Sequence, residues 1–198
     1  MDFGWNKEQD ALRQEIRKFI AENVTDEVMQ EMEEGYVPPA GEPQRRGVRG
    51  PRATALRKKI DEKGWLGVAW PKEWGGAGKD RLTQYIVEEE FSRAGAGMGI
   101  GGGGSGAPAI MVAGTEAMKR EFIPKLIKGE YSFAQGFTEP SGGADLASLQ
   151  CRAVEDGDFC VINGQKIFTS SAHVSTHIYM MVRTDPDAPK HRGISILI

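Results

Sequence analysis

The feature that most limits what this chain can fold into is a change of hydrophobic period near residue 130. Before it, apolar residues recur three and four positions apart, as in Leu12, Ile16, Phe19 and Ile20. After it they alternate with small or polar residues, as in Phe133, Gln135 and Phe137 around Ala134 and Gly136. Helices bury a stripe with a period of 3.6 and strands a face with a period of 2, so the two halves cannot share one kind of layer. The pattern predicts an α+β chain: an N-terminal all-α domain over residues 1–130, followed by an antiparallel β domain over residues 131–198.

Local signals divide each half. Residues 6 to about 34 read as helix, with Asn6 as N-cap, Gln9 three residues on in the reciprocal capping arrangement, and a break near Val24-Thr25. A basic, proline-rich loop follows, carrying Arg45, Arg46, Arg49 and Arg52; it reads as a solvated insertion, with a phosphate clamp for a nucleotide-bearing substrate or a subunit contact as the functional alternatives. A second helix runs from about Ala53 to Lys63, with Leu56 and Ile60 inward and Gly64 as its stop. Trp65, Trp70 and Trp74 are expected to pack an ordered loop rather than to build a ligand cage. The third helix, Arg81 to Arg93, is expected to turn Leu82, Tyr85, Ile86 and Phe91 inward and Glu88 to Glu90 outward. Gly95 to Gly106 holds eight glycines in twelve residues. With no preceding strand and no Gly-Lys-Ser/Thr ending, it is not a phosphate loop. Thr115 caps a last helix in which Pro124 is expected to bend or restart the chain before Gly129.

In the second half, strands are expected at 131–137, about 148–154, 159–163, 165–170, 177–184 and 193–198. The first empties into Thr138-Glu139-Pro140-Ser141-Gly142-Gly143, where backbone N–H groups lack side-chain cover and Thr138 adds a hydroxyl. Such a turn suits a polar cofactor. Asn163-Gly164 is the dipeptide best suited to a type I′ turn and predicts a hairpin of 160–162 with 166–168. Its second arm would set Phe168 and the hydroxyl of Ser170 on one side of a strand, offering stacking and a hydrogen bond to a flat heterocycle.

Bulk properties narrow the function classes. A net charge of −3 over 198 residues gives no footprint for nucleic acid or an anionic membrane. No window approaches a membrane span and the amino end lacks a signal-peptide pattern, so the expected location is the cytoplasm. Cys151 and Cys160 are expected to be reduced thiols.

Three motifs in order carry a family resemblance: Gly-Trp-Leu-Gly-Val-Ala-Trp-Pro-Lys-Glu-Trp-Gly-Gly-Ala-Gly from Gly64 to Gly78, Phe-Thr-Glu-Pro-Ser-Gly-Gly-Ala-Asp from Phe137 to Asp145, and Ile-Asn-Gly-Gln-Lys from Ile162 to Lys166. The chain resembles the N-terminal and middle domains of the acyl-CoA dehydrogenases. The resemblance implies FAD as cofactor, an acyl-CoA substrate, an electron-transfer flavoprotein as acceptor and an oligomer. It places Gln135, Phe137 and Thr138 at the polar edge of the isoalloxazine and Gly143 and Ala144 near the pyrophosphate or the thioester ligand. Phe168 would cover the ring, and Ser170 would reach N5 or O4. The family commonly has Ser at the position of Ala144, Trp at Phe168 and Thr at Ser170. Phenylalanine keeps the stacking and serine keeps the hydroxyl, whereas Ala144 loses a side-chain oxygen.

The resemblance also implies that the catalytic glutamate belongs to a C-terminal helical domain missing from these 198 residues, so no catalytic residue is assigned. The chain is expected to be the N-terminal part of a longer enzyme. Two alternatives share the scaffold: a flavin-dependent monooxygenase, and a non-catalytic partner subunit of a full-length dehydrogenase. Glycines in the stretch that lines the acyl pocket in similar enzymes imply room for a wide, ring-bearing or branched acyl group.

Overall fold

A computed structural model describes residues 4–34, 50–97 and 106–198. Arg45, Arg46 and Arg49 of the basic loop and most of the glycine run lie outside the described residues. The chain divides into two compact units, Met1–Tyr131 and Ser132–Ile198.

The first unit is helical: α1 (Lys7–Asn23), α2 (Asp26–Glu34), α3 (Pro51–Glu62), α4 (Arg81–Arg93), α5 (Gly106–Ala113) and α6 (Glu116–Lys128). The Asn6–Gln9 capping box starts α1, each side chain accepting the other residue's backbone N–H at 2.9 Å. The chain breaks at Val24-Thr25 before α2. Thr115 caps α6, which runs through Pro124 as one element instead of restarting, and Gly129 ends it at φ +75°. Arg57 on α3 is buried and donates to the terminal carbonyls of α6, to Ile127 O at 2.6 Å and Lys128 O at 2.9 Å. A helix C-terminus leaves such carbonyls without intrahelical donors, so the guanidinium ties two helices together.

The core gathers Ile16, Phe19, Leu56, Ile60, Trp65, Ile86, Phe91, Ile123 and Leu126, all buried. Phe19, Trp65 and Phe91 meet edge to face with centroids 5.2 to 6.1 Å apart, a favoured arrangement for aromatic quadrupoles. Trp65, Trp70 and Trp74 are all buried. Their loop closes on itself through Trp70 N to Gly67 O (2.9 Å) and Gly78 N to Trp70 O (2.8 Å), as the packing role requires.

On α4 the expected inner face is displaced. Ile86, Val87, Glu90 and Phe91 are buried, whereas Leu82 and Tyr85 are exposed, Tyr85 flanking Trp5 at 6.4 Å. Glu90, expected outward, is 4% exposed. Its position four residues after Ile86 places it on the buried face. Arg13 and Arg17, one turn apart on α1, supply the compensating charge: Nε of each lies 2.7 Å from a Glu90 oxygen.

The second unit is a five-stranded sheet of β1 (Phe133–Gly136), β2 (Arg152–Asp156), β3 (Phe159–Asn163), β4 (His177–Arg183) and β5 (Ile194–Leu197). The sheet is mixed rather than antiparallel throughout. β4 pairs parallel with β1 and β2 and antiparallel with β5, and β2 pairs antiparallel with β3. Parallel neighbours need a long crossover, and the forty residues between Gly136 and His177, which include the β2–β3 hairpin, supply it. Cys151, Ala153 and Val182 form the small core, flanked by Met180 and Leu197.

The hairpin is also displaced. Asp156 pairs with Phe159 across Gly157-Asp158, and Gly157 adopts φ +61°. The two-residue loop therefore sits one strand earlier than Asn163-Gly164, and residues 165–170 form no strand. Gly164 has a different duty: a Cβ on it would fall 2.7 Å from Cys151 Cα, Cβ and Sγ.

Candidate functional site

The site lies within the second unit, where β1 runs out. Phe133, Gln135 and Phe137 share one face, and Phe133 and Phe137 pack on the buried Tyr179 ring at 5.7 and 5.3 Å. Gln135, between them on that face, is itself exposed. Beyond Phe137 the chain turns: Glu139 N donates to Gly142 O at 3.2 Å and Gly142 N to Glu139 O at 3.1 Å. A Cβ on Gly143 would stand 2.9 Å from Thr138 Cγ2, so the turn folds back onto Thr138 as closely as a glycine allows. Gly143 and Ala144 are exposed and Thr138 is half-buried.

The segment carrying Phe168 is anchored to this turn. Ile167 N donates to Thr138 O at 2.9 Å, and Lys166 Nζ donates to Phe137 O at 3.1 Å and to Glu139 Oε1 at 2.8 Å. The residue next to Ile167 is Phe168, at φ +55° with 85% of its surface exposed. Alternation along a strand is therefore not what presents the aromatic ring and Ser170. Positive φ costs a bulky side chain about 1–2 kcal/mol, and such strain persists where surrounding contacts enforce it. Thr169 Oγ1, between Phe168 and Ser170, is buried without a hydrogen-bond partner.

Sequence reasoning put no role on Glu139 or Lys166. Glu139 is buried and also accepts Gln150 N at 2.7 Å and Cys151 N at 2.9 Å. Burial pushes its carboxyl up, but the Lys166 ammonium and the two backbone N–H groups outweigh it, leaving the group below its ordinary value of 4.5. A carboxylate depressed by folding adds stability above its unfolded value, lost as pH falls through its folded value. Stability of the β unit is accordingly expected to decline below about pH 4.5 and to decline less steeply in Glu139→Gln, as followed by urea unfolding at stepped pH. Equal slopes in the two proteins would refute this. The partners lie 27 residues apart, so no local spacing announces them.

A family model described as acyl-CoA dehydrogenase, N-terminal domain, matches residues 6–130, and one described as acyl-CoA dehydrogenase, middle domain, matches residues 134–198. The chain belongs to the acyl-CoA dehydrogenase family. Among its relatives in that family is the acyl-CoA dehydrogenase FadE29 of Mycobacterium tuberculosis, 39% identical over 96% of this chain and 46% of that protein. FadE26 of the same organism is 38% identical over 100% of this chain and 48% of its own length. Among solved structures, the ChsE4-ChsE5 complex from Mycobacterium tuberculosis superposes with a TM-score of 0.79 at 36% identity, covering 100% of this chain and 48% of the other. The Tcur3481-Tcur3483 steroid acyl-CoA dehydrogenase gives 0.75 at 38% identity, with the same coverage. This acyl-CoA dehydrogenase chain thus spans about half the length of the curated relatives it matches.

Proposed function

We propose that this chain supplies the FAD- and acyl-CoA-binding part of an acyl-CoA dehydrogenase, with a helical domain over residues 1–130 and a β domain over 131–198. The observation that carries the reading is Phe168: an exposed aromatic ring at positive φ, hydrogen-bonded through its neighbour Ile167 to the Thr138 turn. A flat heterocycle would repay that strain, and the close turn at Gly143, folded back onto Thr138, would let a polar group approach the exposed backbone beside the same segment.

Gln135, Phe137 and Thr138 would orient the flavin's polar edge, Phe168 would cover it and Ser170 would offer a hydroxyl. Gly143 and Ala144 would approach the pyrophosphate or the acyl-CoA thioester. Bound FAD supplies the hydride acceptor for α,β-dehydrogenation of the acyl chain. The chain's own residues orient the ring and, by covering it, keep water from its face.

The steroid enzyme among the relatives supports a wide acyl group as substrate, and an electron-transfer flavoprotein is the proposed acceptor. A structure described as a complex of ChsE4 with ChsE5 favours one second reading, in which this chain works beside a different subunit. Co-purification of a larger flavoprotein with the tagged chain would support that reading.

Titrating the purified chain with FAD should give the resolved visible bands of a bound oxidised flavin. Phe168→Ala should weaken binding about tenfold, the size of one lost aromatic contact. Absence of any bound flavin would overturn the cofactor reading, and unchanged affinity in Phe168→Ala would remove Phe168 from it.

A further inference from the structure

We infer that Glu139 and Lys166 are positioning residues of the cofactor site: one buried ion pair holds the Thr138 turn and the Phe168 segment side by side and so sets how tightly and how uniformly a flavin is held. This inference rests on the cofactor reading above.

The two side chains are only 5% and 9% exposed, so neither can serve as a ligand-facing charge. Their bonds instead join three separate stretches of backbone. Lys166 Nζ reaches Phe137 O at 3.1 Å and Glu139 Oε1 at 2.8 Å. The carboxylate takes the N–H groups of Gln150 and Cys151 at 2.7 and 2.9 Å, at the entry to β2. Ile167 N on Thr138 O at 2.9 Å completes the junction. The lysine stem passes beside Gly136, where an added Cβ would be 3.7 Å from Lys166 Cγ, and the same Cβ would meet Met180 Cβ at 3.1 Å. Lys166 is therefore led beneath the end of β1 along a path that a larger residue at position 136 would crowd.

Packing two charges away from water adds little net stability compared with an apolar pair, but any displacement that separates them leaves a buried charge unpaired, which is costly. An apolar contact tolerates sliding; an ammonium with a carboxylate and a carbonyl as acceptors does not. Residues 165–170 form no strand, and no ladder beyond Ile167 N records their register to the turn. The ion pair supplies that register, and with it the place of the exposed Phe168 ring.

The test compares the whole chain with Lys166→Met, Lys166→Arg and Glu139→Gln, each first shown by far-UV circular dichroism to be folded at the temperature used. FAD affinity is read by quenching of flavin fluorescence, and uniformity of the bound ring by the resolution of its visible bands. Lys166→Met is expected to weaken FAD about tenfold and to blur those bands. Lys166→Arg keeps the charge but replaces a compact ammonium with a larger planar fork, so it should recover only part of the loss and bind more tightly than Lys166→Met. Should Lys166→Met fail to fold, Glu139→Gln carries the same expectation, because one carboxylate oxygen becomes an amide that faces a donor with a donor. Folded variants that bind FAD with the parent's affinity and spectrum would overturn the inference and leave the cofactor reading standing. A parent chain that takes up no FAD would overturn that reading and this inference with it.

Discussion

Replacing Gly164 with alanine is expected to destabilise the β unit by about 3 kcal/mol, the upper range for overpacking a site that cannot relax. The added methyl would lie 2.7 Å from Cys151 Cα, a backbone atom held by the start of β2, and equally close to its Cβ and Sγ. Changing the cysteine side chain therefore cannot relieve the clash. The backbone adds to the cost, since Gly164 sits at φ +151°, where residues with a Cβ are strained. Gly157 is the control: its φ is +61° but nothing lies within 4 Å of an added Cβ, so alanine there should cost only about 1 kcal/mol.

All four tryptophans lie between residues 5 and 74, so intrinsic tryptophan fluorescence does not report on the β unit. Thiol labelling does. Cys160 is exposed and should react at once, whereas Cys151 is buried and should react only when the unit opens. In Gly164→Ala the slow phase should accelerate by roughly two orders of magnitude, as 3 kcal/mol requires. An unchanged slow phase would show that Gly164 and Cys151 do not approach as described.

Replacing Glu90 with leucine is the second large effect, expected to cost the helical unit about 2 kcal/mol. Glu90 is buried on α4 and bonds to both Arg13 and Arg17 of α1. Without it Arg13, 15% exposed, keeps a charge in a nearly dry place. Arg17 is about half in solvent and can turn outward, so its share is small and the total falls below the usual 3–5 kcal/mol for a broken buried pair. Burial raises the Glu90 carboxyl, but hydrogen bonds from Arg17 and Arg13 outweigh this and hold it below its ordinary value. The parent should thus lose stability as pH falls below about 4.5, and Glu90→Leu should lose less over the same interval. Here tryptophan fluorescence is the right probe, because Trp65 lies in the core that α1 and α4 close. A variant as stable as the parent would show the cluster to be replaceable by apolar packing.

What could be read directly from the residues was whatever depends on near neighbours. The capping box at Asn6 and Gln9 needs only a spacing of three, and the stops at Gly64 and Gly129 need only a residue that accepts positive φ. The change of period near residue 130 was equally plain, because it reflects how side chains leave a helix or a strand. Of the seven proposed site residues, local pattern already suggested the Thr138–Gly143 turn and the Phe168 and Ser170 pair, motif resemblance supplied the others, and the structure places Thr138 beside Ile167, the neighbour of Phe168.

Tertiary structure decided the rest. Asn163-Gly164 and Gly157-Asp158 are both good two-residue turns. Pairing of β2 with β3 selected the second and left Gly164 to meet Cys151. Glu90 looked like one of three solvated carboxylates until α1 brought two arginines to it, and Glu139 found Lys166 across 27 residues. Short-range conformational preference is a property of a few consecutive residues and is written in their order. The partner of a buried charge, the choice between equivalent turns and the strain at Phe168 are set by which distant segments touch, and only the folded chain contains that information.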